Sequence, residues 1–303
     1  MPNYLGIEIG GTKLQLIVAD ENMSVVQRHR YTVDQTRGAA GIQENIKETL
    51  EKIPAPITAI GVGFGGPIDR ETGKIFTSYH ISGWTDFSLK DWLTKTSGVA
   101  VRVDNDANVA ALGEALHGAG KDAETVFYVT LGSGVGAGLV QGGRIYHGAI
   151  PGETEFGHVR LDRFGTTVQS SCSGWAVDEK IRNAVKRNPK GLLASLTKEL
   201  KGNEAKILGE ALEQNDSVAV EIFESTMDDF AFGLSHAIHL LHPDVVVLGG
   251  GLSLLGERLR VAVETKCKTY LMDAFRSNLN IRLAALKEDA VTMGAVALAI
   301  QKN

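Results

Sequence analysis

The chain has 303 residues, of which 43% are hydrophobic and 22% charged, and carries a formal net charge of -5. That balance suits a globular chain of about two domains and argues against nucleic-acid binding, because no basic stripe is present. Only two cysteines occur, Cys172 and Cys267, which excludes a disulfide framework and suits a reducing cytoplasm. No leader-like start and no apolar run of about 18 residues is found, so no membrane role is expected.

The elements are read in chain order. Residues 4–9 and 14–20 are rich in Ile, Val and Leu and flank Gly10-Gly11-Thr12, the pattern of two strands joined by a glycine turn. Residues 25–32 read as a third strand. Residues 41–53 place Ile42, Ile46, Leu50 and Ile53 on one helical face. Residues 57–64 form a buried strand ending in Gly65-Gly66-Pro67, residues 88–96 a short helix, 99–103 a strand and 105–116 a helix. The pattern then restarts: residues 125–131 are a strand ending in Gly132-Ser133-Gly134, and 136–141 and 144–147 continue it around Gly142-Gly143. This is a weak internal repeat of domain size. From Gly174 the chain is mostly helical, with a long helix at 218–241. A buried strand at 245–248 leads through Gly249-Gly250-Gly251 into a helix. A strand at 280–285 and a helix at 290–300 finish the chain.

Three strand–glycine turns thus stand out: Gly10-Gly11-Thr12-Lys13, Gly132-Ser133-Gly134 and Gly249-Gly250-Gly251. Glycine lets a ligand approach the backbone, and successive amides in such turns form anion-binding nests. The third turn is expected to add a helix N-terminus, which favours negative charge. Any one of them could be an ordinary tight turn. Neither a Walker signature nor a G-x-G-x-x-G at a strand–helix junction is present. Asp106 read alone is a helix cap or first-turn acid as readily as a catalytic group. Glu155 and His158 read alone are loop residues, and Lys13 a solvated lysine.

Five motifs together resemble the ROK family of sugar kinases and sugar-responsive repressors. Residues 6–13 (GIEIGGTK) resemble its first phosphate loop and 129–136 (VTLGSGVG) its second. Residues 247–251 (VLGGG) resemble its adenosine loop, Asn105-Asp106-Ala107-Asn108 its catalytic motif, and Glu155-Phe156-Gly157-His158 its sugar-binding E-x-G-H. The resemblance runs nearly end to end. It implies an α/β, two-domain actin-like ATPase fold (ribonuclease H-like), each domain a mixed sheet flanked by helices, with nucleotide and sugar meeting in a cleft. The expected division is residues 1–117 with the last helix, 289–303, packing back, against 118–288. The first phosphate loop lies within ten residues of Met1, which leaves no expectation of the repressors' DNA-binding helices.

The resemblance implies ATP and Mg²⁺ as cofactors and Asp106 as the base acting on a sugar hydroxyl. The sugar set it implies is Gly66, Asn105, Asp106, Glu155 and His158. The three glycine turns would hold ATP: Gly10, Gly11, Thr12 and Lys13; Gly132, Ser133 and Gly134; Gly249, Gly250 and Gly251. Glu8 stands where many relatives carry Asp and could organise Mg²⁺ through water. A helix dipole at Asp106 is expected to favour its ionised form, and Asp104 is expected to be a cap. Glu153 is expected to be structural, and Trp84 a core anchor.

Two departures are legible. His80 stands where the family usually has Asn. The stretch 165–174 (GTTVQSSCSG) lacks the family's zinc cysteines and puts Gln169 where the family has glutamate. No structural zinc is expected, Cys172 reads as a small buried residue, and Gln169 is expected to bond a sugar hydroxyl as an amide. The expected activity is ATP-dependent phosphorylation of a hexose, glucose first, then fructose, mannose or an N-acetylhexosamine. The alternative is a non-catalytic sugar sensor. A homodimer is the expected assembly.

Overall fold

The structure, a computed structural model, describes residues 2–54, 56–78, 81–150 and 154–301. His80 and Glu153 lie outside the described residues. The chain folds into two compact units. One holds Met1–Val126, Gly138–Thr154 and Ala285–Asn303; the other holds Phe127–Ala137 and Glu155–Ala284.

The first sheet is built from β1 (Asn3–Ile9), β2 (Lys13–Asp20), β3 (Val25–Thr32), β4 (Ile57–Phe64) and, beyond the small hairpin of β5 (Ile68–Asp69) and β6 (Lys74–Ile75), β7 (Ala100–Asn105). Its order is β3-β2-β1-β4-β7. β1 pairs with β2 antiparallel, whereas β1, β4 and β7 run parallel. The parallel strands read as near-continuous apolar runs, as strands covered on both faces should. One face packs against α1 (Gly38–Lys52) and α2 (Leu89–Ser97), enclosing Ile42, Ile46, Trp84, Leu89 and Leu93. Trp84 is fully buried, edge-on to Phe64 and Phe87, which makes it the core anchor its sequence setting suggests.

The other face is covered by α3 (Asp106–His117) and the last helix, α11 (Ala290–Ile300), which packs on β1, β4 and α3. This packing explains several glycines that bind nothing. A Cβ on Gly61 would lie 1.8 Å from Ala295 O, and one on Gly294 would lie 1.8 Å from Val109 O. Only glycine admits such an approach.

The second sheet repeats the order. It joins β8 (Thr125–Leu131), β9 (Val135–Gln141), β10 (Arg144–Ile145), β11 (Val245–Gly249) and β12 (Ile281–Leu283) as β10-β9-β8-β11-β12. In both sheets the chain makes a three-strand meander, then adds two strands on the far side of the meander's first strand. The weak internal repeat of the sequence is therefore a repeat of topology. Between β10 and β11 lie α4 (Val168–Cys172), α5 (Gly174–Arg187), α6 (Leu192–Thr197), α7 (Leu208–Glu213) and α8 (Ser217–Leu241). After β11 come α9 (Glu257–Tyr270) and α10 (Asp273–Arg276). The third glycine turn does not open an α-helix as expected. It leads into a single 3-10 turn, Gly251–Leu255, and α9 starts only after Gly256 at φ 66°. A turn that short carries little dipole, so the expected charge preference loses its basis there. No helix among the described residues is long and apolar enough to cross a membrane.

Candidate active site

In the first unit the parallel strands deliver their carboxyl ends to one edge, the place where open α/β sheets bind ligands. β1 leads into Gly10, β4 into Gly65 and β7 into Asp106. Gly65 N donates to Ile9 O at 2.9 Å. A Cβ on Gly65 would lie 3.3 Å from Asp106 Oδ2, so the carboxylate rests close against the Gly65 backbone. Asn105 caps α3: its Oδ1 accepts from Ala107 N (2.9 Å) and Asn108 N (3.4 Å), and its Nδ2 donates to Gly66 O at 3.3 Å. One amide hydrogen of Asn105 remains for another acceptor.

Asp106 keeps part of its surface accessible, yet the density of protein around its carboxylate makes charge costly there. Burial, with the Glu8 carboxylate second, pushes its pKa up to about 7, against the backbone donors of Ala107 and Asp106 itself. The helix dipole, expected to favour the ionised form, does not set the balance: the pKa is raised, not lowered. Desolvation outweighs first-turn amides when the group is enclosed.

Asp104 is not a cap. It is 3% exposed, and its Oδ1 accepts from Asn105 N at 2.8 Å and Asn108 Nδ2 at 3.0 Å. Its Oδ2 lies 2.7 Å from His147 Nε2. Glu8 holds Lys13 Nζ at 3.2 Å and Gln15 Nε2 at 2.7 Å. Gln15 in turn accepts from Arg30 Nε at 2.8 Å. Lys13 is therefore paired with Glu8. The first turn closes on Gly10 N donating to Lys13 O at 3.0 Å, which spends the Gly10 amide and leaves exposed Thr12 at the tip.

In the second unit, Gly132 N donates to Gly134 O at 3.0 Å, and Gly132 O accepts from Gly174 N at 2.7 Å. The start of α5 is thereby docked on the second turn, and Ser133 stays exposed. Gly250, at φ 81°, packs directly on the Leu131 backbone, where a Cβ would lie 2.5 Å away. The second and third turns are thus neighbours, with Gly249 and Gly251 on either side of that contact. Gln169 lies on α4, whose start is fixed by a reciprocal Thr167–Ser170 capping box. Its Oε1 accepts from Val135 N at 3.1 Å, and a Cβ on Gly134 would lie 2.7 Å from that oxygen. Gly157 also packs here, since its Cβ would lie 2.3 Å from Val135 O. The second turn, Gln169 and the E-x-G-H segment therefore meet. Glu155 and His158 are exposed, with Oε2 and Nε2 3.9 Å apart. Phe156 between them is buried edge-on to Phe127 and Phe230, anchoring the short helix that presents both.

The pattern that defines the ROK family matches residues 4–302. The chain belongs to the ROK family. It is similar to the glucokinase of Halalkalibacterium halodurans, at 29% identity over 96% of this chain and 93% of that protein. The N-acetyl-D-glucosamine kinase of Aliivibrio salmonicida is 31% identical over 82% of this chain and 84% of its own. The crystal structure of a ROK family glucokinase from Streptomyces griseus, in complex with glucose and AMPPNP, superposes with a TM-score of 0.85. It is 28% identical and covers 99% of this chain and 100% of that one.

This ROK chain does not fit the zinc of its relatives. Cys172 is fully buried, with Sγ 3.7 Å from Thr226 O, and burial pushes its thiol up to about 12. A neutral thiol under α8 and one exposed imidazole do not make a four-ligand site. Glu8, bonded to Lys13 and Gln15 beside the first turn, is an oxygen donor of the kind Mg²⁺ takes alongside its own waters. Two features of the ROK site were hidden in the sequence. The Asp104–His147 pair spans 43 positions and has no local signal. The Glu8–Gln15 bond was hidden too, although a lone Gln inside the apolar run of residues 14–19 hinted at a buried polar contact.

Proposed function

We propose that this chain phosphorylates a free hexose from ATP, with Asp106 as the general base and glucose the leading substrate. The observation that carries this reading is the Asp106 carboxylate: it lies over Gly65 where three parallel strands end, and its pKa is pushed up to about 7. A base with a pKa near the working pH best combines the ionised form with proton affinity. The sugar hydroxyl oxygen attacks the γ-phosphorus, the bond to the β–γ bridging oxygen breaks, ADP leaves, and the hydroxyl proton passes to Asp106. Little covalent help is needed, so positioning and charge stabilisation dominate.

Asn105 offers its remaining amide hydrogen to the sugar, beside the Gly66 backbone. Glu155 and His158 supply an acceptor and a switchable donor for further hydroxyls. Gln169 anchors its oxygen on Val135 N and presents its NH₂, a donor that a glutamate lacks. That NH₂ favours an acceptor on the sugar, where the family's glutamate would favour a donor. Exposed Thr12 and Ser133, with the neighbouring Gly11 and Gly134 backbone, face the phosphates, while Gly250 and Gly251 line the adenosine. Lys13 joins the phosphates by exchanging its Glu8 partner. Glu8 would hold, through water, a Mg²⁺ ion bound with ATP, which would supply neutralisation of phosphate charge. The reaction belongs to the cytoplasm, where both cysteines stay free. The chain works as a homodimer, which light scattering would read as twice the chain mass.

ADP release measured with glucose, fructose, mannose and N-acetylglucosamine tests the reading. Sugar-dependent ADP formation is expected with at least one of them, and none with Asp106→Asn. An enzyme that binds these sugars and never releases ADP would be a sensor instead.

A further inference from the structure

A buried carboxylate is costly unless it is fully bonded. Asp104 is bonded entirely to the corner that presents Asp106, except for one ligand from a distant loop. Its Oδ1 grips Asn105 N and the Asn108 side chain, one residue before and two after Asp106. Asn105 in turn caps Ala107 and Asn108. The other oxygen, Oδ2, is held by His147, which follows β10 and has a 22% exposed side chain. The next residue of that loop is tethered to the same unit, with Arg70 Nη2 donating to Gly148 O at 3.2 Å.

We infer that His147 is a positioning residue for phosphoryl transfer: it clamps Asp104, and Asp104 sets the direction in which Asp106 presents its carboxylate. With His147 Nε2 bonded to Oδ2, the Asp104 carboxyl has one allowed rotation, and that rotation aims Oδ1 at both Asn105 and Asn108. Without it the carboxylate turns toward the groove of about 600 Å³ that it lines with His147, Arg70, Lys90 and Arg102. The first turn of α3 then loses the bonds that fix it. The inference rests on Asp106 being the base.

The test is a set of variants read by steady-state kinetics beside melting curves. His147→Ala is expected to lower kcat about 10- to 100-fold, since a displacement near 1 Å costs on that order. KM values for ATP and sugar should stay within about 2-fold. His147→Gln, which keeps an N–H at the reach of Nε2, should recover most of the rate. His147→Asn, which falls short, should not; that pair carries the test if the alanine variant fails to fold. Because the groove reaches the vacated place, added imidazole should restore His147→Ala. Asp104→Asn combined with His147→Ala should be no slower than the slower single variant, as expected when both act through one bond. An unchanged kcat in His147→Ala and His147→Asn overturns the inference. So does a loss confined to the sugar KM, which would make His147 an anchor of the sugar loop alone, or multiplicative losses in the double variant. If Asp106→Asn is inactive while the His147 variants are normal, only the clamp fails. If Asp106→Asn turns over normally, the base assignment itself fails.

Discussion

At the residue scale, the competition at Asp106 decides the pH behaviour. Sequence position favours ionisation, whereas enclosure and the Glu8 charge oppose it and win. Activity should therefore rise with pH through an apparent pKa near 7, and fall below about pH 6, in a profile of kcat/KM. Asp106→Asn is expected to keep sugar binding by calorimetry while kcat drops about 10²- to 10⁴-fold. The same carboxylate destabilises the fold. Its pKa moves from 3.8 in the unfolded chain to about 7 in the folded one, so the folded state binds more protons between those values. The contribution to stability is complete below about pH 4 and lost as pH rises through 7. Asp106→Asn should thus melt higher than the wild type at pH 8, by on the order of a few kcal/mol at most, and show no such gain at pH 4. Gln169 was legible as a departure but its role was not. Only the fold shows that Val135 N occupies its oxygen. Gln169→Leu strands that amide at a cost of about 1–3 kcal/mol and should raise the KM for ATP by loosening the second turn. Gln169→Glu keeps the acceptor and should change the sugar ranking instead.

At the element scale, helices and strands were largely readable because apolar period and glycine punctuation agree. The strand at residues 57–64 and the helix at 290–300 coincide with β4 and α11. The segment after Gly251 was not readable. Its apolar residues suit a helix, but Gly256 at φ 66° divides it into a 3-10 turn and α9. Nor could the sequence separate the glycines of the three strand turns from glycines that approach a helix. Gly294→Ala places a methyl against the Val109 carbonyl and should destabilise by roughly 1–3 kcal/mol or more, because overpacking here has no flexible neighbour to displace. A fall in melting temperature with unchanged KM values checks that Gly294 serves packing alone.

At the scale of the whole molecule, the repeated sheet order 3-2-1-4-5 organises both glycine-turn strands. Within the first unit the chain's return is secured by Glu114, which is fully buried in α3. Its carboxylate accepts from Ala119 N at 2.7 Å, Ala285 N at 3.1 Å and Leu286 N at 2.8 Å. It thereby fixes the segment that leads into α11. Nothing in its surroundings along the chain marks Glu114 as different from an exposed helix glutamate. Glu114→Ala takes the carboxylate from the Ala285 and Leu286 amides and should cost on the order of 2–5 kcal/mol. Denaturant unfolding would show it as a lower midpoint, with residues 285–301 losing hydrogen-exchange protection first.

Alone, the sequence determined the periodicities, the glycine turns and the ordered motifs, because each is written in neighbouring residues and local chemistry. Those sufficed for fold class, family and the choice of a candidate base. The tertiary structure decided the charge state of Asp106, the engagement of Gln169, and the partnerships of Asp104 with His147 and of Gln15 with Glu8. These depend on enclosure and on contacts between residues far apart in the chain, and desolvation and directional bonding are properties of the assembled surroundings rather than of any residue type.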